Sequence, residues 1–263
     1  DLELAGNLAV GGELSTPSAG TSNVRVGVNA GDSIASGGNH NVAVGDEAGT
    51  AISTGDGNIV IGFEAGHDIT TGGYNTLIGW KSGDKIIDSN NNVAIGDASL
   101  SADTKGSKSV AVGSNALNAQ NFTSATDSFN TAVGFSAGLS ITTGIENTLI
   151  GGSAGDALTD ADYNTAVGRL SLSSDTLGSN SVAIGYQALR DQNFTSATAA
   201  YNTAVGRNAG VLITTGIQNT IVGGLAGDAI TTGTRLTAIG YEALGGNTTG
   251  RFNAAGGWKS MLS

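Results

Sequence analysis

The sequence predicts an all-β chain wound as a parallel β-solenoid or β-roll, with about thirteen coils and a repeat period of mostly 17. Three observations predict it. A short phrase recurs along the chain, each copy carries a strand signal, and 43 of the 263 residues are Gly. That is more than double the ordinary Gly share of roughly 7%. Gly is entropically costly to fix, so such usage answers a geometric need.

The repeat comes first. Asn-Thr-Ala-Val-Gly and its variants end at Gly27, Gly45, Gly62, Gly79, Gly96, Gly113, Gly134, Gly151, Gly168, Gly185, Gly206, Gly223 and Gly240, with a weaker copy at Gly256. Most spacings are 17, the first is 18, and two are 21. Gly62, Gly134 and Gly206 are evenly spaced, each interval holding three spacings of 17 and one of 21, which points to duplication of a four-coil block. Two kinds of coil alternate within the block. One carries Ala-Gly and then Ile or Leu after the anchor, as in Ala137-Gly138 with Ile141; the other carries Ala-Leu or Ser-Leu, as in Ala188-Leu189. A single such unit is too short to bury a core alone, so the units must stack. Helical coils are disfavoured because the Gly content would break them. At about 4.8 Å per rung the rod is roughly 60 Å long.

The strand positions follow from the anchor, taken as zero. Position −1 is Val or Ile in every unit: Val44, Ile61, Ile78, Ile95, Val112, Val133, Ile150, Val167, Ile184, Val205, Val222 and Ile239 continue the series begun by Val26. Together with Val, Ile or Thr at −3 they share one face of the strand, and they are assigned to the coil interior as its core ladder. Position −2 then faces outward. It is mostly Ala, with Leu77, Leu149 and Ile221 recurring once per four-coil block. A strand apolar on both faces is ordinarily buried on both, so these three residues are assigned to a contact with another chain. Asn at −4, in ten of the thirteen units, suits a hydrogen-bonded ladder and a turn before the strand. Ile-Thr-Thr-Gly at 69–72, 141–144 and 213–216 reads as a short strand and turn closing the coil.

Composition narrows function. Almost no Pro and no G-X-Y period exclude collagen, and recurrent Val, Ile, Leu and Ala argue against disorder. No apolar run spans a bilayer. Cys is absent, so there are no disulfides or thiolate metal sites. A net charge of −11 disfavours nucleic acid, which needs clustered Lys and Arg. No signal-peptide pattern opens the sequence, which implies a leader already removed or export without one.

Sites of chemistry are sparse. His40 and His67 each occupy a loop position and read as solvated. Asp160-Ala-Asp162 opens like a Ca²⁺ loop but has Thr165 and Ser171 where Gly and Glu are required; it reads as a polar turn. No nucleophile elbow or phosphate loop is present. The expectation is therefore no catalytic residue, no cofactor and no metal. Aromatic residues supply the binding candidates, because exposed rings stack on sugars or anchor partners. Phe63, Trp80, Phe135, Tyr186 and Tyr241 stand at +1, and Tyr74, Phe129, Tyr163 and Tyr201 at −5. Phe122 and Phe194 lie in the two four-residue expansions, which share Gln-Asn-Phe-Thr-Ser-Ala-Thr and are expected to emerge as matching loops.

Asn75-Thr-Leu-Ile-Gly79 and Ser181-Val-Ala-Ile-Gly185-Tyr-Gln-Ala resemble the head repeats of YadA-like trimeric autotransporter adhesins. Asn130-Thr-Ala-Val-Gly-Phe-Ser-Ala-Gly138, followed by Ile141-Thr-Thr-Gly144 and Asn147-Thr-Leu-Ile-Gly151, is more similar still to repeats of tailed-phage tail fibres. Leu2-Glu-Leu-Ala-Gly-Asn-Leu-Ala-Val-Gly11 is similar to the segments that precede such repeats. The resemblance covers almost the whole chain. It implies a left-handed β-roll in an intertwined or side-by-side homotrimer, on a virion or bacterial surface, binding a host glycan or protein receptor without catalysis, nucleic acid or membrane insertion. The phage fibre is favoured over the adhesin head, and a polysaccharide-degrading tailspike is the rival of a different class. The repeat unit is longer than the usual adhesin head repeat, and no membrane anchor, heptad stalk or C-terminal processing segment is visible, which suggests a fragment or processed product. The organisation expected is a connector over 1–20, solenoid repeats over 21–245, and a partial coil or cap over 246–263.

Overall fold

The computed structural model describes residues 19–261. The connector expected over 1–20 lies almost wholly outside the described residues. The remainder is an all-β parallel solenoid of about fourteen turns, with no helix among the described residues. One sheet of fourteen strands runs its length, from Val24–Val26 to Ala254–Gly256, each strand hydrogen-bonded in parallel to the next. Register repeats without slippage: Thr131, Thr148 and Thr165 are neighbours, as are Ala132, Leu149 and Ala166. Two small sheets, Gly106–Ser107 with Thr126–Asp127 and Gly178–Ser179 with Thr198–Ala199, accompany the two expanded coils. The last coil continues the winding: Gly256 pairs with Ile239, and the amide of Gly257 donates to Ile239 at 2.8 Å. The fourteenth anchor is therefore Gly257, one ordinary spacing after Gly240, rather than Gly256.

Each strand of the long sheet is only three residues long and then turns at the anchor Gly. There φ lies near +130°, and an added Cβ at Gly134 would sit 2.6 Å from the carbonyl of Gly151 on the next rung. No other residue fits such an approach.

The strand faces are the reverse of the expected ones. Position −2 fills the interior: Ala43, Leu77, Ala94, Leu149, Ala166 and Ile221 are all fully buried. The oligomer-face candidates Leu77, Leu149 and Ile221 are thus core residues. The expected core ladder points out of the coil instead. Val44, Ile61, Ile78, Val112, Val133, Val167, Val205 and Val222 are half-buried. Ile95, Ile150, Ile184 and Ile239 are 36–50% exposed. The cause is the width of the coil. Its cross-section is already filled by Ala or Ser at +3 and by Leu or Ile arriving from +4 or +7, such as Leu172 and Ile141. Only a small residue, or a large one beside a Gly, fits at −2.

The two kinds of coil are two solutions to that volume. Where +4 is Gly, +7 is Ile or Leu; a Cβ on Gly155 would lie 2.8 Å from both Leu149 and Leu158. Where +4 is Leu, as at Leu100, Leu117, Leu172, Leu189 and Leu244, position −2 is always Ala and +7 becomes Asp, Gln or Asn. Close packing requires this trade.

The Asn ladder is present, with backbone as its main partner. Asn41 Oδ1 accepts from the amide of Asn58 at 2.9 Å, and its Nδ2 donates to the carbonyl of Gly55 at 2.8 Å. The same pair of bonds recurs at Asn75, Asn147 and Asn164. A fully buried amide is tolerated because both of its ends are satisfied. The Ile-Thr-Thr-Gly segments form bends rather than strands. Their first Thr hydroxyl donates to the next rung, Thr142 to Thr159 at 3.2 Å.

Candidate functional site

The solenoid places three surface features. The first is the outer face of the long sheet, where −3 and −1 form two parallel columns of Val, Ile and Thr. Their β-branched side chains suit a flat pleated surface. The columns run along the whole sheet as one stripe, which scattered single residues do not build.

The second is the +1 column at the Gly corner. Phe63, Trp80, Phe135, Tyr186 and Tyr241 are 38–65% exposed. Phe63 and Trp80, on successive coils, stack with centroids 6.5 Å apart and planes inclined by 14°. Lys81 Nζ lies 5.0 Å over the Trp80 ring and pairs with Glu64 at 3.0 Å. The two rings thus form one solvent-facing plate with a charged rim. The same pairing recurs where Lys259 covers Trp258 at 5.0 Å and bonds Glu242 at 3.0 Å; Trp258 escapes a sequence reading that sets the fourteenth anchor one residue early. At −5, Tyr74, Phe129, Tyr163 and Tyr201 are at least half exposed and hold φ of +50° to +60°.

The expected loop candidates behave differently. Phe122 and Phe194 are 5% and 6% exposed and close over the core, so neither presents a ring to a receptor. Each expansion instead turns a Gln inward. Gln120 Nε2 donates to Asp103 at 2.6 Å and to Ser109 at 2.8 Å, while its Oε1 accepts from Asn130 at 2.9 Å. Asp103 also accepts the amides of Gly106 and Phe122, at 2.9 and 3.3 Å. Asp175, Gln192, Ser181 and Asn202 repeat the network. Burial pushes the Asp103 carboxyl above its ordinary value of 3.8, and these hydrogen bonds only partly oppose that rise. Each expanded coil thus supplies donors to the buried Asp of the coil before it.

The third feature is the +5 column. Asp84, Asp156 and Asp228 recur there once per four-coil block. Burial raises the carboxyl of each. One oxygen of Asp84 and one of Asp156 is buried without a hydrogen-bond partner. The three stand four rungs apart and do not converge. His67 is half-buried and bonds Asp68 at 2.5 Å, and Asp68 is also paired with Lys85 at 3.1 Å. Burial would raise the Asp68 carboxyl, but His67 and Lys85 outweigh it and hold it below its ordinary value. Asp160 and Asp162 are turn residues, bonded to Thr143 and to the amide of Ile145 on the preceding coil.

No protein-family model, curated protein or solved structure matches the chain.

Proposed function

We propose that the chain is a structural segment of an extracellular fibre, a non-enzymatic rod that associates with two further copies of itself and presents a binding surface to a host cell. The observation that carries this reading is the outward apolar face of the long sheet. Its two columns of Val, Ile and Thr stand outside a coil whose core is complete without them. Covering this face with another rod of the same pitch would match β-branched residues rung for rung and remove apolar area from water. The oligomer face is thus the −3 and −1 columns, in place of −2.

The similarity of the repeats to tail-fibre and adhesin-head sequences supports a threefold, left-handed arrangement, and the length of the repeat unit favours the phage fibre. The stacked plate of Phe63 and Trp80 supports a receptor-binding role, threefold repetition supplying avidity from weak single contacts. The buried carboxylates Asp103 and Asp175 are occupied by structural hydrogen bonds, consistent with a scaffold rather than a hydrolase.

Sedimentation of wild type and Ile150→Glu at micromolar concentration tests the reading. Wild type should sediment as three chains. The variant should shift toward the 25.8 kDa monomer with its β circular dichroism intact. A monomeric wild type overturns the assembly, and release of oligosaccharide from host capsule overturns the non-enzymatic reading. In a whole-cell binding assay, Trp80→Ala and Phe63→Ala should each weaken attachment.

A further inference from the structure

We infer that the corner of the rod around Tyr186 is a binding strip for a carboxylate-bearing saccharide, with Arg169 and Arg207 gripping the carboxylates and Tyr186 stacking on a sugar ring. The inference rests on the surface-binding reading above and adds the chemical class of a ligand at a second place.

The three residues occupy the same +1 position on successive rungs. The amide of Gln187 donates to the carbonyl of Arg169 at 3.1 Å, and the amide of Asn208 to that of Tyr186 at 2.9 Å. Arg169 and Arg207 therefore flank Tyr186 at about 4.8 Å on either side. All three side chains are exposed. Among the described residues, neither Arg169 nor Arg207 forms an ion pair, whereas the neighbouring Arg190 is held by Asp191 at 2.6 Å. The chain as a whole carries −11, yet residues 168–222 hold three Arg against two Asp, a local balance of 3 − 2 = +1. Of those two Asp, Asp175 is buried and Asp191 is paired. Two exposed guanidinium groups without an ion pair thus flank one Tyr ring on an acidic rod.

One end of the strip is open. The next rungs place Gly152 and Gly224 at the same position; a Cβ on Gly152 would meet nothing within 4 Å, whereas one on Gly224 would lie 3.6 Å from the Tyr241 ring. A ligand running along the rod leaves Arg169 over open backbone and passes from Arg207 toward Tyr241. The backbones that carry the two Arg side chains lie about 10 Å apart, two rungs, close to the repeat of a disaccharide. Planar guanidinium groups bind carboxylates bidentately, and a Tyr ring offers the apolar face of a sugar a platform. Gly185 turns the chain between Ile184, on the outer sheet face, and Tyr186. The strip therefore lies round the corner from the self-association surface.

Titration calorimetry on the intact chain tests this, using hexagalacturonate, neutral maltohexaose and dextran sulfate at low and high salt, with sedimentation run in parallel. Hexagalacturonate should bind, and bind more weakly at high salt. Arg169→Ala and Arg207→Ala should each weaken it by about tenfold or more, Tyr186→Ala should weaken it as well, and Arg251→Ala, which removes an exposed Arg from a distant coil, should not. Maltohexaose binding as tightly as the acid overturns the proposal. So does affinity for dextran sulfate that matches hexagalacturonate and ignores Tyr186→Ala, which would be attraction of charge alone. Hexagalacturonate failing to bind, while Phe63 and Trp80 still support attachment to cells, sinks the strip and leaves the fibre reading standing.

Discussion

At the scale of single residues, the least expected group is the carboxyl of Asp103, fully buried in a chain whose core is otherwise mostly Ala, Leu and Ile. A carboxylate in such a place costs free energy unless donors surround it. Here the Gln120 amide and the backbone amides of Gly106 and Phe122 do so, yet burial still wins and the carboxyl titrates above 3.8. The sign follows from linkage. A folded-state value above the unfolded one means that the native state binds the proton more tightly. The stabilisation is complete below the unfolded value and is lost as pH rises through the folded one. Asp103→Asn should therefore flatten the fall in stability on raising pH from about 4 toward neutrality. The substitution also turns an amide nitrogen toward the Gln120 donor, which should cost about 1–3 kcal/mol at low pH. Denaturant midpoints collected across that range check both effects, and an unchanged pH slope in the variant would show that Asp103 is not the group responsible.

At the scale of the element, the strand is easy to find in the sequence and its orientation is not. The run Thr-Ala-Val, bounded by Asn and Gly, carries the strand signal by residue type and punctuation alone. With only three residues per strand, however, the pattern offers a choice between one residue inside and two. Moving the choice by one position exchanges the faces completely. Hydrophobicity favours Val and Ile inside, while cross-section favours Ala, and cross-section prevails because the far wall contributes Leu and Ile that no local window can see. The rule is nevertheless legible at longer range, since every Leu at +4 is matched by Ala at −2. That rule predicts a coupling. Ala166→Leu places a second large residue against Leu172 and should destabilise by about 1–3 kcal/mol through overpacking. Adding Leu172→Gly recreates the pairing of Leu149 with Gly155, and the double variant should be more stable than Ala166→Leu alone although it lacks a buried Leu. A double-mutant cycle measures the coupling, and strictly additive costs would refute the proposed volume trade. The aromatic plate is legible for the same reason of spacing, because Phe63 and Trp80 share +1 on adjacent coils. Arg169 and Arg207 share +1 as well, yet a sequence gives no sign of which charges are paired. Phe122 and Phe194 mislead because an expansion looks like a protruding loop, whereas here its Phe closes over the core.

At the scale of the whole molecule, the period sets the mechanics. Each coil touches only its neighbours, so stability is a sum of coil and interface terms along one axis. The four-coil block, made of three spacings of 17 and one of 21, is then a unit that can be removed. Deleting residues 134–205 joins Val133 to Gly206, which replaces one anchor by its equivalent and keeps Asn, strand and corner in phase. The shortened chain should fold with the same β circular dichroism and a rod about 19 Å shorter by small-angle scattering, four rungs at about 4.8 Å. Its outer sheet face remains continuous, so its sedimentation should still report the same number of chains. Deleting residues 134–193 instead joins Val133 to Phe194, putting the second expansion where an anchor Gly with φ near +130° is needed, and should yield an aggregated or unfolded product. If the in-phase deletion also fails to fold, coils depend on partners beyond their neighbours and the one-dimensional account is wrong. If both deletions fold equally well, the anchor register does not determine the winding.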